Sequence, residues 1–448
     1  MIRKIALSAS VLALTACASL APQTETTAHG MSLPATYDYA AELSGARAVE
    51  SDWWVAFGSD NLDGLMTEAL AANQTLAGGL ANVEAARAAL KVSNASLLPQ
   101  ASASLSASSD TESGLDDVSS SGRLSASYEL DLFGANAAGR AASQASLEAT
   151  EYSQRALELT VQSDVASTYF NLLATREQLD VARRNLEISE RIFDIVEVRY
   201  KAGAISGFDV SSQETQLANA RARIPQLESQ ITSLETSLAI LLGQVPQGFA
   251  APEEPILSLE LPVADPSLPA DLLLRRPDLL QEEASLRSAD ANVTVARAAF
   301  LPGIDLGAAL SSILSGGGDL TGSISASLAQ TVFSGGRLEG QLESAEARRE
   351  AQLASYRSAI LNALRDVDVS LTSIEANARR EEQLLVARDA SKDALDAAEL
   401  RYRAGTDDLT SLLTAQQSYF TASDTYVQGR LDRLTAALNL YVALGGGY

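Results

Sequence analysis

The chain has 448 residues, with 57 acidic side chains against 33 basic ones, a net charge of −24, and only 5% aromatic residues. Phosphate binding needs clustered Lys and Arg, so this balance excludes a nucleic-acid partner. One cysteine, Cys17, excludes an internal disulfide, and one histidine, His29, argues against a His-based dyad or a His-rich metal site, so neither a metal nor another cofactor is expected.

In chain order, Arg3 and Lys4 precede a short apolar run from Ile5 to Ala16 that is too brief to span a bilayer as a helix. The run ends in Leu14-Thr15-Ala16-Cys17, a sequence similar to a bacterial lipobox. Residues 1–16 are therefore expected to be a lipoprotein signal peptide, with Cys17 the lipidated N-terminus of the mature chain. Acyl chains add about 0.8 kcal/mol of membrane affinity per buried CH₂. Residues 17–52 are polar and rich in Thr, Ser and Pro, and read as a linker.

Trp53, Trp54 and Phe57 open the folded part. Apolar positions at helical spacing (Leu62, Leu65, Met66, Ala69, Leu70) predict one helix from Asp60 to Leu97. Strict alternation follows. Ala101, Ala103, Leu105 and Ala107 oppose intervening serines, and Leu124, Ala126, Tyr128, Leu130 and Leu132 oppose Ser125, Ser127, Glu129 and Asp131. With the polar loop from Asp110 to Ser121, these runs predict a hairpin with one apolar and one polar face, the latter carrying Glu129 and Asp131 toward a wet lumen. Runs of this length suit tilted transmembrane strands. A soluble sandwich packing its apolar face on helices is the alternative.

From Gly134 to Lys201 there is no proline, and Val165, Leu172, Leu179, Leu186, Phe193 and Tyr200 recur every seventh residue. That pattern predicts a coiled-coil helix of roughly 100 Å. A Gly-containing turn leads to a returning helix, Phe208 to Leu242, with a kink or break expected at Pro225.

The plan then repeats. Ile304 to Leu310 and Ile324 to Leu328 predict a second hairpin about a turn at Gly316 to Gly318. A second long helix begins after Gly335-Gly336 and runs to Arg403, and a second returning helix runs from Leu409 to Leu444. Arg199-Tyr200-Lys201-Ala202-Gly203 returns as Arg401-Tyr402-Arg403-Ala404-Gly405, a displacement of 202 residues (401 − 199). Residues 53–245 and 271–448 are thus two copies of one unit, joined by residues 246–270.

Taken together, Trp53-Trp54, the paired Arg-Tyr-x-Ala-Gly turns, Gln330 to Leu338 and Leu274-Arg275-Arg276-Pro277-Asp278 resemble the outer-membrane factors of the TolC type. With the lipobox, they resemble the lipoprotein branch often labelled NodT. The resemblance implies a mostly α protein with transmembrane β-strands, forming a homotrimer with a 12-stranded barrel in outer-membrane lipid and a helical periplasmic tunnel. It implies an efflux or secretion conduit without enzymatic activity. A periplasmic adaptor (membrane fusion protein) and an inner-membrane pump would engage the tips at Lys201, Ala202, Gly203, Arg403, Ala404 and Gly405.

Family members often place acidic residues past the second tip. Here Ser411 and Thr414 occupy those positions, so Asp407 and Asp408 are the acidic candidates for a periplasmic gate, unless they serve only to start the returning helix. Arg275 to Asp278 is expected to be structural, with Pro277 at a helix start. An exported coiled-coil adaptor or structural lipoprotein is the competing class. Its hairpins would not carry two amphipathic faces of this length.

Overall fold

A computed structural model of the chain describes residues 31, 33–37, 49–109, 118–266, 269–314 and 318–447. The signal peptide, Cys17, most of the linker, the loop from Asp110 to Asp117 and the glycines at 316 and 317 lie outside the described residues.

In chain order the main elements are α1 (Asp60–Ala72), α2 (Gln74–Ala95), β1 (Gln100–Ser109), β2 (Val118–Leu130), α3 (Ala135–Lys201), α4 (Gly207–Leu241), α5 (Pro277–Ala298), β3 (Gly303–Ile313), β4 (Thr321–Ala329), α6 (Arg337–Ala404) and α7 (Leu409–Ala443). The repeat is visible in the lengths. Helices α3 and α6 have 67 and 68 residues, and α4 and α7 have 35 each.

Three expectations change. The single helix over Asp60 to Leu97 is two, because Asn73 takes extended backbone (φ −63°, ψ 123°) and its Oδ1 accepts from Thr75 N and Leu76 N at 2.9 and 3.1 Å. That arrangement caps α2 at the point where α1 ends. Strand β2 starts at Val118 rather than Leu124, since the serine-rich run finds partners on β1, including Ser106 and Ser121 with hydroxyls 2.8 Å apart. Pro225 does not interrupt α4. Both Pro225 and Arg221, whose carbonyl loses its helical donor, are exposed, so water can replace the missing bond.

The chain forms two compact units, and neither coincides with one repeat. One contains residues 80–154 and 278–360. In it the strands form a single antiparallel sheet in the order β1-β2-β3-β4. Ion pairs tie its helices: Arg287 to Glu148 at 2.6 Å, Arg297 to Glu346 at 2.9 Å and Arg349 to Asp290 at 2.5 Å.

The other unit contains residues 33–79, 155–277 and 361–448. Trp53 stacks on Tyr441 (centroids 5.7 Å, planes 23° apart), donates from Nε1 to Gln162 Oε1 at 3.1 Å, and is 2% exposed. Phe57 and Phe170 extend this core. Trp53 thus docks on the helical body, as burial of an aromatic with a satisfied N–H favours.

Arg276 is structural too. Its Nη1 donates to the Ala443 carbonyl at 3.2 Å and lies 3.4 Å from Asp366 Oδ2, while Pro277 opens α5.

Candidate functional site

The sheet separates its faces as the alternation requires. Register places Leu124 beside Leu310, Ala126 beside Ala308 and Leu306 beside Ala326, all on one face. That face is uncovered: Leu105 is 75% exposed and Ile324 92%. A soluble sandwich would have buried these side chains against helices, and contiguous exposed apolar surface of this kind marks a membrane or partner face.

The opposite face carries Ser102 and Ser125, with hydroxyls 2.9 Å apart, and Arg123 beside Ser311. Glu129 sits directly across from Asp305. Asp131 lies one residue past β2, where its Oδ2 accepts from the Ala137 N–H at 2.8 Å. It supports the start of α3, whose positive end favours a carboxylate.

At the C-terminal ends of α3 and α6, the two tips repeat the same backbone. Gly203 and Gly405 hold φ of 72° and 74°. The N–H of Ala204 reaches the Arg199 carbonyl at 2.9 Å, and Thr406 reaches the Arg401 carbonyl at 3.0 Å. Only a residue free to adopt left-handed φ closes such a C-terminal turn cheaply. Lys201, Ala202, Arg403 and Ala404 are exposed around these glycines.

The returning helices start differently. Ser206 and Asp209 form a reciprocal capping box at α4. At α7, Asp408 Oδ1 accepts from the Ser411 N–H at 2.8 Å, and this bond holds the carboxyl below the usual carboxylate range. Asp407 Oδ1 accepts from Asp408 N at 2.9 Å, and its Oδ2 lies 3.9 Å from Arg401 Nε. Thr414 is exposed and donates its hydroxyl to the Thr410 carbonyl at 2.8 Å. Asp408 therefore does start the helix, and Asp407 stands beside it with one long basic contact.

Behind the tips, Ile192, Val196, Leu395, Ala398, Tyr402, Leu409 and Leu412 form a buried cluster. Arg191 donates to both oxygens of Glu399, at 3.0 and 3.1 Å, and Arg199 lies over the Tyr402 ring at 4.6 Å from its centroid. These pairs are more than 200 residues apart in sequence and carry no local signal. The Ser206-x-x-Asp209 box was readable, as a cap followed by an acid three residues on.

The connection between repeats is held from both sides. Arg176 donates to the carbonyls of Pro252 and Ala251 at 2.7 and 3.0 Å and to Glu235 at 2.8 Å. Arg430 donates to the Leu259 carbonyl at 2.5 Å and approaches Glu381 at 3.5 Å, while Arg433 reaches Glu381 at 2.7 Å. Among the described residues, no group of three His, Cys, Asp or Glu is placed to hold a metal ion.

A duplicated chain with an amphipathic four-stranded sheet and paired long helices has the features of an outer-membrane channel protein. The chain belongs to the outer membrane efflux protein family, whose model matches residues 65–244 and 268–446, one segment in each repeat.

It is 36% identical to the pyoverdine export outer membrane protein OpmQ of Pseudomonas aeruginosa, over 100% of this chain and 97% of that protein. It is 31% identical to the probable efflux pump outer membrane protein TtgC of Pseudomonas putida, over 90% of this chain and 86% of that protein. Among solved structures it is similar to the open-state MtrE outer membrane channel of Neisseria gonorrhoeae (TM-score 0.84, 28% identity, 95% of this chain and 98% of that one). It is also similar to the outer membrane protein VceC of Vibrio cholerae (TM-score 0.81, 26% identity, 89% and 99%). The protein is an outer-membrane efflux channel component that extends into the periplasm.

Proposed function

We propose that three copies of the chain close a 12-stranded barrel and that their helices form a periplasmic tunnel, fed by a periplasmic adaptor and an inner-membrane pump. The supporting observation is the sheet: among the described residues, the outer edges of β1 and β4 have no strand partner within the chain, and its apolar face is bare. Unpaired N–H and C=O groups cost several kcal/mol each in lipid, so a sheet that enters a bilayer must close on itself. Four strands are too few, since about 8 make the smallest common barrel.

The test is gel mobility of membrane-extracted protein before and after boiling, together with native mass spectrometry. A heat-modifiable band and a three-chain mass are expected, and a monomer in both measurements overturns the reading.

In this reading Cys17 carries the lipid anchor, the exposed tip residues Lys201, Ala202, Gly203, Arg403, Ala404 and Gly405 meet the adaptor, and Asp407, Asp408, Ser411 and Thr414 border the periplasmic gate. Mass spectrometry of the mature N-terminus decides the first point, and an unmodified terminus elsewhere overturns it. The relative named for pyoverdine export supports a small secreted molecule as cargo, delivered by the pump.

A further inference from the structure

Beside the buried cluster at the tips, two sets of polar contacts join repeat 1 to repeat 2. Arg199 lies over the Tyr402 ring and donates to the Tyr402 carbonyl at 2.8 Å. Arg191 grips Glu399, which also accepts from Arg403 at 2.5 Å, four residues further along α6.

The duplication supplies most of these partners a second time. A shift of 202 residues turns Arg199 into Arg401, Tyr402 into Tyr200, Glu399 into Glu197 and Arg403 into Lys201. The copies are open: Tyr200 is 50% exposed, and the Arg401 side chain is 61% exposed, held only locally by a 3.4 Å bond from Nε to the Ala397 carbonyl of its own helix and a 3.9 Å approach to Asp407. Glu197 and Lys201, 2.9 Å apart, reproduce the i,i+4 pair of Glu399 and Arg403. The chain thus carries one joint already made and the two complementary halves of another. Such halves on one molecule join head to tail and close into a ring when the rotation allows.

We infer that, in the trimer proposed above on which this rests, Arg401 of each copy lies over Tyr200 of the partner subunit. One position breaks the correspondence. The counterpart of Arg191 is Asp393, which is exposed. Between copies, Asp393 meets Glu197 of the partner subunit, a carboxylate where the joint within the chain has a guanidinium. Lys201 is already paired with that glutamate. Like charges brought together repel, so the joint between copies is the looser of the two, and the tips part there first.

Paired cysteines test the contact in the full-length protein. With Tyr200→Cys and Arg401→Cys, a short bis-maleimide applied to outer-membrane fractions should give dimers and trimers on SDS gels. Arg199→Cys with Tyr402→Cys should give only links within one chain. Native mass spectrometry of the same preparations reports assembly independently. Trimers without an SDS ladder overturn the pairing and leave the trimer standing, whereas absence of trimers removes both. Asp393, the one position changed in the charge test, is an exposed side chain, so its variants should fold. Asp393→Arg should shift the temperature at which trimers dissociate upward, and Asp393→Asn should do so by less. An unchanged or lowered dissociation temperature for Asp393→Arg overturns the loose joint.

Discussion

Asn73 donates its side-chain amide to the Leu241 carbonyl at the end of α4, over 2.7 Å. In the second repeat Arg276 does the same for the Ala443 carbonyl at the end of α7. Helix ends leave four carbonyls without intrahelical donors, and each repeat satisfies one of them from the residue that precedes its next helix. The position is shared and the chemistry is not. Beside each of these ends stands a glycine with left-handed backbone, Gly243 (φ 69°) and Gly445 (φ 93°).

Replacement of Gly243 should therefore be costly. A Cβ there would sit 2.2 Å from the Ala72 carbonyl oxygen, whereas at Gly203 nothing lies within 4 Å. Gly203→Ala should cost about 1–2 kcal/mol for the left-handed backbone alone. Gly243→Ala must also move α1, adding about 1–3 kcal/mol for the overpacked contact. Urea unfolding of the two variants should rank Gly243→Ala as the less stable.

Glu381→Ala should destabilise the clamp on the inter-repeat connection. The side chains of Glu381 and Arg430 are 9% and 10% exposed, so removal of the acid strands a buried guanidinium. Breaking one side of such a pair costs about 3–5 kcal/mol. Arg433 adds a second bond to Glu381, and Arg430 keeps the Leu259 carbonyl. Thermal unfolding should show the loss, with Glu381→Gln intermediate.

Much of this was legible in the sequence, for identifiable reasons. Alternation from Ala101 to Ser108 needs only period two, and the long helices need only the absence of proline and a heptad. The 202-residue repeat gave each element a second witness. What the sequence concealed depends on distant partners. Asn73 ends α1 because its amide meets Leu241, and Val118 to Arg123 becomes strand because serines on β1 lie opposite. Arg191 finds Glu399 across 208 residues, and nothing near either residue announces it. Asp131 reads in the sequence as the next lumen-facing residue of a strand, but the strand ends one residue earlier and its carboxylate accepts from the Ala137 N–H.

The facing pair Glu129 and Asp305 should make the pore cation-preferring. Like charges directly opposite on neighbouring strands destabilise a sheet by about 0.2–1 kcal/mol, so Glu129→Gln with Asp305→Asn should be neutral or slightly stabilising. If the polar face lines the lumen, the same change should move the reversal potential in a salt gradient toward zero. Planar-bilayer recording of wild type and double variant checks both the sign and the residues.

The cap at Asp408 should make the start of α7 sensitive to acid. Its folded-state carboxyl is held below the unfolded value of about 3.9, chiefly by the Ser411 N–H. A depressed acid contributes fully above the unfolded value, and that contribution is lost as pH falls through the folded one. The protection of the Leu409 to Ser411 amides against exchange, measured relative to their intrinsic rates at each pH, should therefore fall at low pH in wild type. In Asp408→Asn the acid dependence should disappear, since an amide oxygen still caps without titrating.

Asp407 and Asp408 give the sharpest test of the gate. In a trimer their tips would gather six carboxylates (2 × 3), and only Asp407 has a basic neighbour, Arg401, at 3.9 Å. Asp408 is committed to its cap, so its loss should loosen the helix start, whereas loss of Asp407 should release Arg401 with little effect on the cap. Asp408→Ala alone should therefore raise single-channel conductance more than Asp407→Ala, and the double variant should exceed both. The comparison separates two causes of opening: if charge alone holds the gate, Asp408→Asn should open the channel as far as Asp408→Ala, and if the cap holds it, the asparagine should retain the closed conductance. Equal conductance in wild type and the double variant would place the constriction beyond these residues, with the exposed hydroxyls of Ser411 and Thr414 next in line.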